Sequence, residues 1–95
     1  MSMSFLLKDP EALLDYAVDW GAEYLSGDAL VDSSWSISPD EADGATIAGS
    51  AFDLLIATVQ VAGGRPGRIY RVTNHVTTVS GREDSRSIIL RVEKR

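Results

Sequence analysis

The chain has 95 residues, of which 44% are hydrophobic and 24% are charged, the composition of one ordinary globular domain. Fourteen acidic residues against nine basic ones give a formal net charge of −5, which repels nucleic-acid backbones and anionic lipid. Cysteine is absent, which excludes disulfides and thiolate zinc sites. We therefore predict a single domain over residues 1–95 that binds neither nucleic acid nor membrane.

The start of the chain, "MSMSFLL", has too short an apolar run for the core of a signal peptide. We predict that residues 1–8 form a flexible N-terminal arm and that the mature protein starts in the cytoplasm where it is made. The longest apolar region, "AFDLLIATVQVA", is interrupted by Asp53 and Gln60 and is shorter than the ~20 residues that span a bilayer.

The segment "DPEALLDYAVDWGAEYLSGD" fits two structures. One apolar set has helical spacing: Leu13, Leu14, Ala17, Val18, Gly21, Tyr24 and Leu25. Another alternates as in a strand: Leu14, Tyr16, Val18 and Trp20. Asp9-Pro10 and Gly27 are typical of helix ends, whereas Tyr, Val and Trp favour a pleated surface, so the residues alone leave both structures open.

The next segments predict strands joined by turns. "ALVDSSWSISP" places Val31, Ser33, Trp35 and Ile37 on one face, and Trp35 is the large residue that we expect to be buried. "DEADGATIAGS" has turn composition and is either a loop or a brief edge strand.

Three more alternating runs complete the chain. The first covers residues 54–61, the second residues 69–79 and the third residues 87–93. "GGRPG" is a corner that tolerates positive φ angles, and "SGRED" reverses the chain between the last two strands. Several short strands with Gly, Pro and Asp turns are the sequence sign of a sandwich or barrel.

Tyr70, just after the glycine corner, matches the tyrosine corner of immunoglobulin-like sandwiches, in which the hydroxyl bonds to upstream backbone. The alternative is an ordinary core tyrosine. His75 is five positions further on, an odd number, so a regular strand sends the two side chains to opposite faces. We predict that Tyr70 points inward with Val72 and Val76 and that His75 is exposed.

The candidate catalytic and metal-binding residues are few. His75 is the only histidine, so a histidine-based catalytic site or a two-histidine metal site lacks partners. "PDEADG" lacks the spacing of a calcium loop, and no Lys-Ser or Lys-Thr follows "GGRPG" to make a phosphate loop. We predict no catalytic, cofactor-binding or metal-binding residues, no cofactor and no enzymatic activity.

Two surface features have a functional and a plain structural interpretation. Arg65, Arg68, Arg82 and Arg86 form either a basic rim for an acidic partner or a solubilising surface, and the second is favoured. Trp20 and Trp35 are either a sugar-stacking pair or core residues, and the core is favoured.

The order of motifs resembles a family of small tailed-phage and prophage proteins, labelled fibre-tail adaptor or head-tail region virion proteins. The motifs are "KDPEALLDYAVDW", "LSGD", "SSW", "GGRPGRIYRVTNHVTT" and "SGREDSRSIILRV", which together run from Lys8 to Val92. The matching positions are Lys8, Asp9, Pro10, Leu14, Asp15, Tyr16, Asp19, Trp20, Leu25, Gly27, Asp28, Trp35, Gly63, Gly64, Gly67, Tyr70, Val72, Thr73, Asn74, Thr78, Gly81, Arg82, Asp84 and Arg91. The chain departs from the family at "PDEADG" and at Gln60, where an aromatic residue is common.

The resemblance implies an all-β, immunoglobulin-like antiparallel β-sandwich of about six to seven strands, and it transfers no active site. It favours residues 14–20 as a first strand and residues 21–25 as a short helical turn. It also implies a virion structural protein of a tailed phage or prophage, assembled in the host cytoplasm. Its partners would be other virion structural proteins, bound through strand edges and loops, with a monomer or weak oligomer in isolation. The alternative is a carbohydrate-binding module that uses Trp20 or Tyr24 as a stacking platform.

Overall fold

A computed structural model describes residues 4–23, 25 and 27–94 of the chain. Within them the elements are β1 (Ser4–Lys8), β2 (Leu14–Asp19), α1 (Trp20–Glu23), β3 (Leu30–Ser38), β4 (Ala45–Phe52), β5 (Ile56–Gly63), β6 (Ile69–Thr78) and β7 (Glu83–Val92). A four-stranded sheet has the order β1-β7-β6-β3, and a three-stranded sheet has the order β2-β5-β4. The two sheets pack as a sandwich, which confirms the predicted all-β class and strand number.

The strands pair antiparallel except at one place, where β1 runs parallel to β7. Strands β2, β5 and β4 are arranged like strands B, E and D of one sheet of an immunoglobulin domain. Strands β7, β6 and β3 are arranged like strands G, F and C of the other sheet. The narrower immunoglobulin-like assignment stays a prediction.

The N-terminal segment differs from the arm that we expected over residues 1–8. Its described part, Ser4–Lys8, is strand β1, which pairs with β7 from Ser4 opposite Ile88 to Lys8 opposite Val92. Leu6 packs against the core, whereas Phe5 and Leu7 remain exposed. The short apolar run is therefore an edge strand whose alternate side chains face the two sides of the sheet.

The ambiguous second segment is a strand followed by a helical turn. Leu14, Tyr16 and Val18 lie on β2 as the alternation predicts, but Trp20 is the first residue of α1. The Asp19 carboxylate accepts a hydrogen bond from the Ala22 N–H at 3.1 Å, an N-cap contact that starts the helix. The strand therefore ends one residue earlier than its alternating pattern.

The core has two clusters of buried residues between the sheets. One centres on Val59, Val61, Tyr70, Val72, Ile88, Leu90 and Val92, with Ala45 beside them. The other consists of Val18, Trp20, Leu25, Leu30, Ala57 and Val76. Trp35 packs against both clusters but is only partly buried, so the prediction of a buried Trp35 is wrong and the fully buried indole is that of Trp20.

A β-bulge in β3 alters the predicted inner face of that strand. The pairing with β6 shifts register between Leu30 and Asp32, so that Leu30 is buried and Val31 is 55% exposed. After the bulge, Ser33, Trp35 and Ile37 are partly buried as the alternation predicts. Val31 therefore does not share their face, because the extra residue reverses the parity of the strand.

The remaining strands agree with the sequence pattern. Of the two structures open for "DEADGATIAGS", the edge strand is present, because β4 spans Ala45–Phe52 and pairs with β5. On β6, the side chains of Tyr70, Val72, Val76 and Thr78 are buried and His75 is exposed, which confirms the predicted faces.

Candidate interaction surfaces

His75 lies in a row of polar side chains on the outer face of the four-stranded sheet. Its Nδ1 is 2.8 Å from Ser85 Oγ, and its Nε2 is 3.0 Å from Glu83 Oε1. The side chains of His75 and Glu83 are 47% and 64% exposed, so water reaches them freely. These residue types occur in hydrolase triads, but a flat exposed strand face has no cleft to shelter a substrate and its oxyanion. These contacts link β6 to β7. The hairpin register pairs His75 with Ser85, so that contact was predictable from the register.

The other candidate loops also have structural roles. Among the described residues, no group of three or more His, Asp or Glu side chains is arranged to hold a metal ion. In "PDEADG", Asp40 and Asp43 are exposed, and Glu41 turns back towards the corner. No helix in the described part of the chain is long and apolar enough to cross a bilayer.

The Tyr70 hydroxyl joins two loops at the end of the sandwich that carries the "GGRPG" corner. It accepts a hydrogen bond from the backbone N–H of Arg65 at 3.1 Å, which confirms the predicted contact with upstream backbone. It also donates to Glu41 Oε1 at 2.9 Å, a partner that the sequence did not indicate. Arg68 Nε lies 3.6 Å from the same carboxylate oxygen. The network holds the acidic loop against the glycine corner.

We expect Tyr70→Phe to reduce the free energy of unfolding by about 0.5–1.5 kcal/mol per lost hydrogen bond, because the Arg65 N–H and the Glu41 carboxylate each lose their bond to the hydroxyl. His75→Ala is the control on the exposed face of the same strand, and we expect it to change stability by no more than about 0.5 kcal/mol. A urea titration followed by circular dichroism measures both. Equal losses in the two variants would contradict the face assignment.

The predicted basic rim is divided between the two ends of the molecule. Arg65 and Arg68 flank the corner before β6, whereas Arg82 follows β6 in the turn to β7. Arg82 Nη2 lies 3.1 Å from Asp28 Oδ2, and the Arg86 guanidinium lies 4.7 Å from the centre of a Trp20 ring. The four arginines therefore do not form one surface.

Asp28 ties the β6–β7 turn to the segment before β3. Its carboxylate, on a side chain only 8% exposed, accepts hydrogen bonds from the Ser80 N–H and hydroxyl, the Arg82 guanidinium and the Ala29 N–H. The Ser80 hydroxyl, then Thr78, the Ala29 backbone and Arg82 hold the pKa of Asp28 well below its usual range, although burial acts in the opposite direction.

This shift makes the contribution of Asp28 depend on pH. A carboxylate with a depressed pKa in the folded state stabilises the protein fully above its ordinary value of 3.8. The stabilisation is lost as the pH falls below that value towards the folded-state pKa. We expect Asp28→Asn to be less stable than the wild type at neutral pH, with a difference that shrinks in acid. Urea titrations across the pH range measure it, and a constant difference would contradict the assignment.

The sheet edges differ in how well their sequences protect them from pairing with another chain. Among the described strands, β1, β2, β3 and β4 lie at edges. Strand β1 ends in the buried Lys8, β2 carries Asp15 and Asp19, and β3 carries Asp32. Strand β4, "ATIAGSAF", is eight residues long and has no charge or proline. Charges and prolines are the usual protection of an edge, so β4 is the least protected of these.

A shallow groove crosses the outer face of the three-stranded sheet from β2 over β5 to β4. It has a volume of about 570 Å³, and much of its lining consists of small side chains. The lining residues are Asp15, Tyr16, Ala17, Gly49, Ser50, Ala51, Thr58, Val59 and Gln60. No lysine or arginine occurs in β2, β4 or β5. The groove is therefore uncharged apart from one carboxylate.

Large hydrophobic side chains are also exposed away from this groove. In the described part of the chain they are Phe5, Leu7, Leu13, Val31, Phe52, Leu54, Leu55, Ile69 and Val79. Their exposed fractions lie between 43% and 70%. Five of these nine belong to the end of β4 and the turn after it, the start of β3 and the β6–β7 turn, at the end opposite the glycine corner.

Comparison with known proteins gives one family. The model of the family described as podophage GP4 fiber-tail adaptor protein gp77 matches residues 8–91. No curated protein matches the chain significantly.

Proposed function

Because the chain belongs to the podophage GP4 fiber-tail adaptor protein gp77 family, we propose that it joins other phage tail proteins through protein–protein contacts at a sheet edge. An adaptor of this family is a structural component of the virion. We propose that this chain acts by binding other proteins and has no catalytic activity. We also propose that it is assembled in the host cytoplasm and is a monomer or weak oligomer until it meets its partners.

The observation that carries the proposal is the unprotected β4 edge. A sheet edge presents unpaired N–H and C=O groups, and an extended segment of another protein adds to it as a further strand. Strand β4 offers this edge over Ala45–Phe52. Strand β4 pairs with β5 along one side, and no further described strand of the sheet pairs with its other side.

The groove supplies the side-chain contacts that main-chain pairing lacks. Gly49 and Ala51 on β4 pair with Gln60 and Thr58 on β5, so these four side chains share the outer face of the sheet. Small residues there leave space for larger side chains of an added strand. Asp15 lines the same groove and favours a lysine or arginine in that segment. We therefore propose an extended partner segment with bulky and basic side chains.

The test compares binding of the tail and fibre proteins encoded by the same phage to three forms of the purified chain. Ala51→Lys places a long cation in the groove, and we expect it to weaken one of the two complexes about tenfold or more, equivalent to about 1.4 kcal/mol. Ser36→Lys is the matched control, because Ser36 is exposed on the β3 edge of the other sheet. We expect it to bind like the wild type.

Two results would contradict different parts of the proposal. If neither protein binds the wild-type chain, the adaptor function is wrong for this chain. If a protein binds but Ala51→Lys has no more effect than Ser36→Lys, the contact lies elsewhere than at β4. Light scattering of the isolated chain tests the proposed monomer or weak oligomer.

The carbohydrate-binding alternative has no support in the described residues. The Trp20 side chain is completely buried, so a sugar ring cannot stack on it. Tyr24, the other proposed platform, lies outside the described residues.

A further inference from the structure

We propose that the end of the sandwich opposite the glycine corner is a second docking surface, for a protein partner with an apolar centre and a basic rim. We call it the hairpin-end surface and define it by the exposed side chains of Val31, Phe52, Leu54, Leu55 and Val79. The inference rests on the proposed adaptor function, because an adaptor must bind two partners at once. The first partner occupies the β4 edge, and the second occupies this end.

Backbone hydrogen bonds bring the segments of the hairpin-end surface together. The Leu30 N–H donates to the Leu54 carbonyl at 2.8 Å, which joins the start of β3 to the β4–β5 turn. The Val79 N–H donates to the Ala29 carbonyl at 2.9 Å, which joins the β6–β7 turn to the residue before Leu30. The five side chains thus belong to neighbouring segments.

The exposure of these side chains is large for residues of this type. Val79 is 70% exposed, Leu54 66% and Val31 55%, and Leu55 and Phe52 are nearly half exposed. Single exposed apolar residues are ordinary, but a group at one end of a small domain marks a protein–protein contact. The bulge that turns Val31 outward adds to the group, because a regular strand would have buried that residue.

Acidic side chains outnumber basic ones around the hairpin-end surface. The register and the turn contacts place six carboxylates in this part of the molecule: Asp19, Asp28, Asp32, Asp53, Glu83 and Asp84. The arginines there are Arg82 and Arg86, which contact Asp28 and the ring of Trp20. A negative rim around an apolar centre selects a partner with the complementary charge, since like charges across an interface are strongly unfavourable.

The other end of the molecule has a different character. Charges of both signs lie there: Arg68 is paired with Glu41 of the acidic loop and Arg91 with Glu93, and Arg65 and Arg71 lie beside them, so this end is not predominantly acidic. The sandwich is 42 Å long and about 20 Å across, as its extents of 42 × 21 × 18 Å show. A partner that recognises the acidic, apolar end therefore has no equivalent site at the other end.

The test measures binding of the tail and fibre proteins of the same phage to the wild type and two variants. Val79→Glu places a charge in the hairpin-end surface at its most exposed residue. We expect Val79→Glu to reduce the affinity of one complex about tenfold or more and to change the affinity of the other by no more than about twofold. Ile69→Glu is the matched control, because Ile69 is 54% exposed beside the corner. We expect Ile69→Glu to keep the affinity of that same complex within about twofold of the wild-type value.

Charge gives a second readout. If the rim is recognised by basic groups, added salt weakens the affected complex, and Asp32→Asn weakens it and reduces its salt dependence. Asp32 is exposed at the start of β3. Binding that is insensitive to salt and to Asp32→Asn would contradict the basic rim of the partner.

The outcomes separate the inference from the proposed function. If neither protein binds the wild-type chain, the adaptor function fails. If both bind and Val79→Glu has no more effect than Ile69→Glu, the adaptor function stands and the hairpin-end surface is not a docking site. If the isolated wild type forms dimers that Val79→Glu dissociates, the occupant is a second copy, and the proposed partner is wrong.

Discussion

Trp20→Ala is expected to reduce the free energy of unfolding by about 3–5 kcal/mol, the usual effect of emptying a buried aromatic site. The Trp20 side chain has no exposed surface, and it lies in the second core cluster beside Val18 and Leu30. Its Nε1 donates a hydrogen bond to Asn74 Oδ1 at 2.8 Å. The substitution therefore removes packing and leaves the buried amide oxygen without its indole donor. Such a loss is a large fraction of the stability of a small domain, about 5–15 kcal/mol.

Trp35→Ala is the matched control for this prediction. Trp35 also touches the core, but its side chain is only partly buried, and its Nε1 has no hydrogen-bond partner among the described residues. Trp35→Ala therefore also removes a buried N–H donor that makes no hydrogen bond to a described residue, which offsets part of the lost packing. We expect a clearly smaller loss than for Trp20→Ala, measured by urea titration with circular dichroism. An equal or larger loss at Trp35 would show that the assignment of the two indoles is wrong.

The faces of the long strands were predictable from the sequence because regular strands preserve parity. Tyr70 and His75 lie on opposite faces as their odd separation requires. The same rule failed for Val31, since the bulge between Leu30 and Asp32 leaves no clear mark in the sequence. Trp20 is buried as the alternation predicts, but the Asp19 cap makes it the first residue of α1 and not the last residue of the strand. Local hydrogen bonding therefore changed the secondary structure at Trp20 and not its burial.

Asn74 shows a second limit of sequence patterns. The alternation of β6 places Asn74 on the inner face, where a polar residue is unfavourable unless its hydrogen bonds are satisfied. Its amide donates to Ser33 Oγ at 2.9 Å and to the Ser34 carbonyl at 3.0 Å, and it accepts from Trp20. These partners lie on β3 and α1, far away in sequence, so only the folded chain shows why a buried asparagine is tolerated.

The interaction surfaces were the least predictable features. Strand edges and loops were expected to bind partners, but which strand is an edge depends on the sheet order. The order was not predictable, because β1 pairs in parallel with β7 from the other end of the chain. The hairpin-end surface likewise combines Val31, Leu54 and Val79 from three separate segments. Each of these residues is an ordinary apolar residue in its own segment, and their grouping depends on tertiary contacts.

Gly64→Ala is expected to destabilise the corner through two effects that add. Gly64 has a φ of +110°, a conformation that costs an L-residue about 1–3 kcal/mol. A Cβ at this position would lie 2.6 Å from Cγ2 of Val92, which is fully buried on β7. Overpacking of this kind costs about 1–3 kcal/mol more. Gly67→Ala is the matched control, because its φ is +84° but an added Cβ would meet no described atom within 4 Å.

A double-mutant cycle with Val92→Ala distinguishes overlap from backbone strain. Val92→Ala alone destabilises the core by removing two methyl groups, and in doing so it vacates the space that the new Cβ of Gly64→Ala would enter. We therefore expect the double variant to lose less stability than the two single losses combined, with a coupling of about 0.5–3 kcal/mol. The same cycle with Gly67→Ala should show a clearly smaller coupling, because Gly67 contacts only the Val92 carbonyl, through its N–H at 2.7 Å, and an added Cβ there would meet no atom of the Val92 side chain. Additive losses at Gly64 would show that the backbone shifts to admit the methyl group, so that only the φ angle requires glycine there.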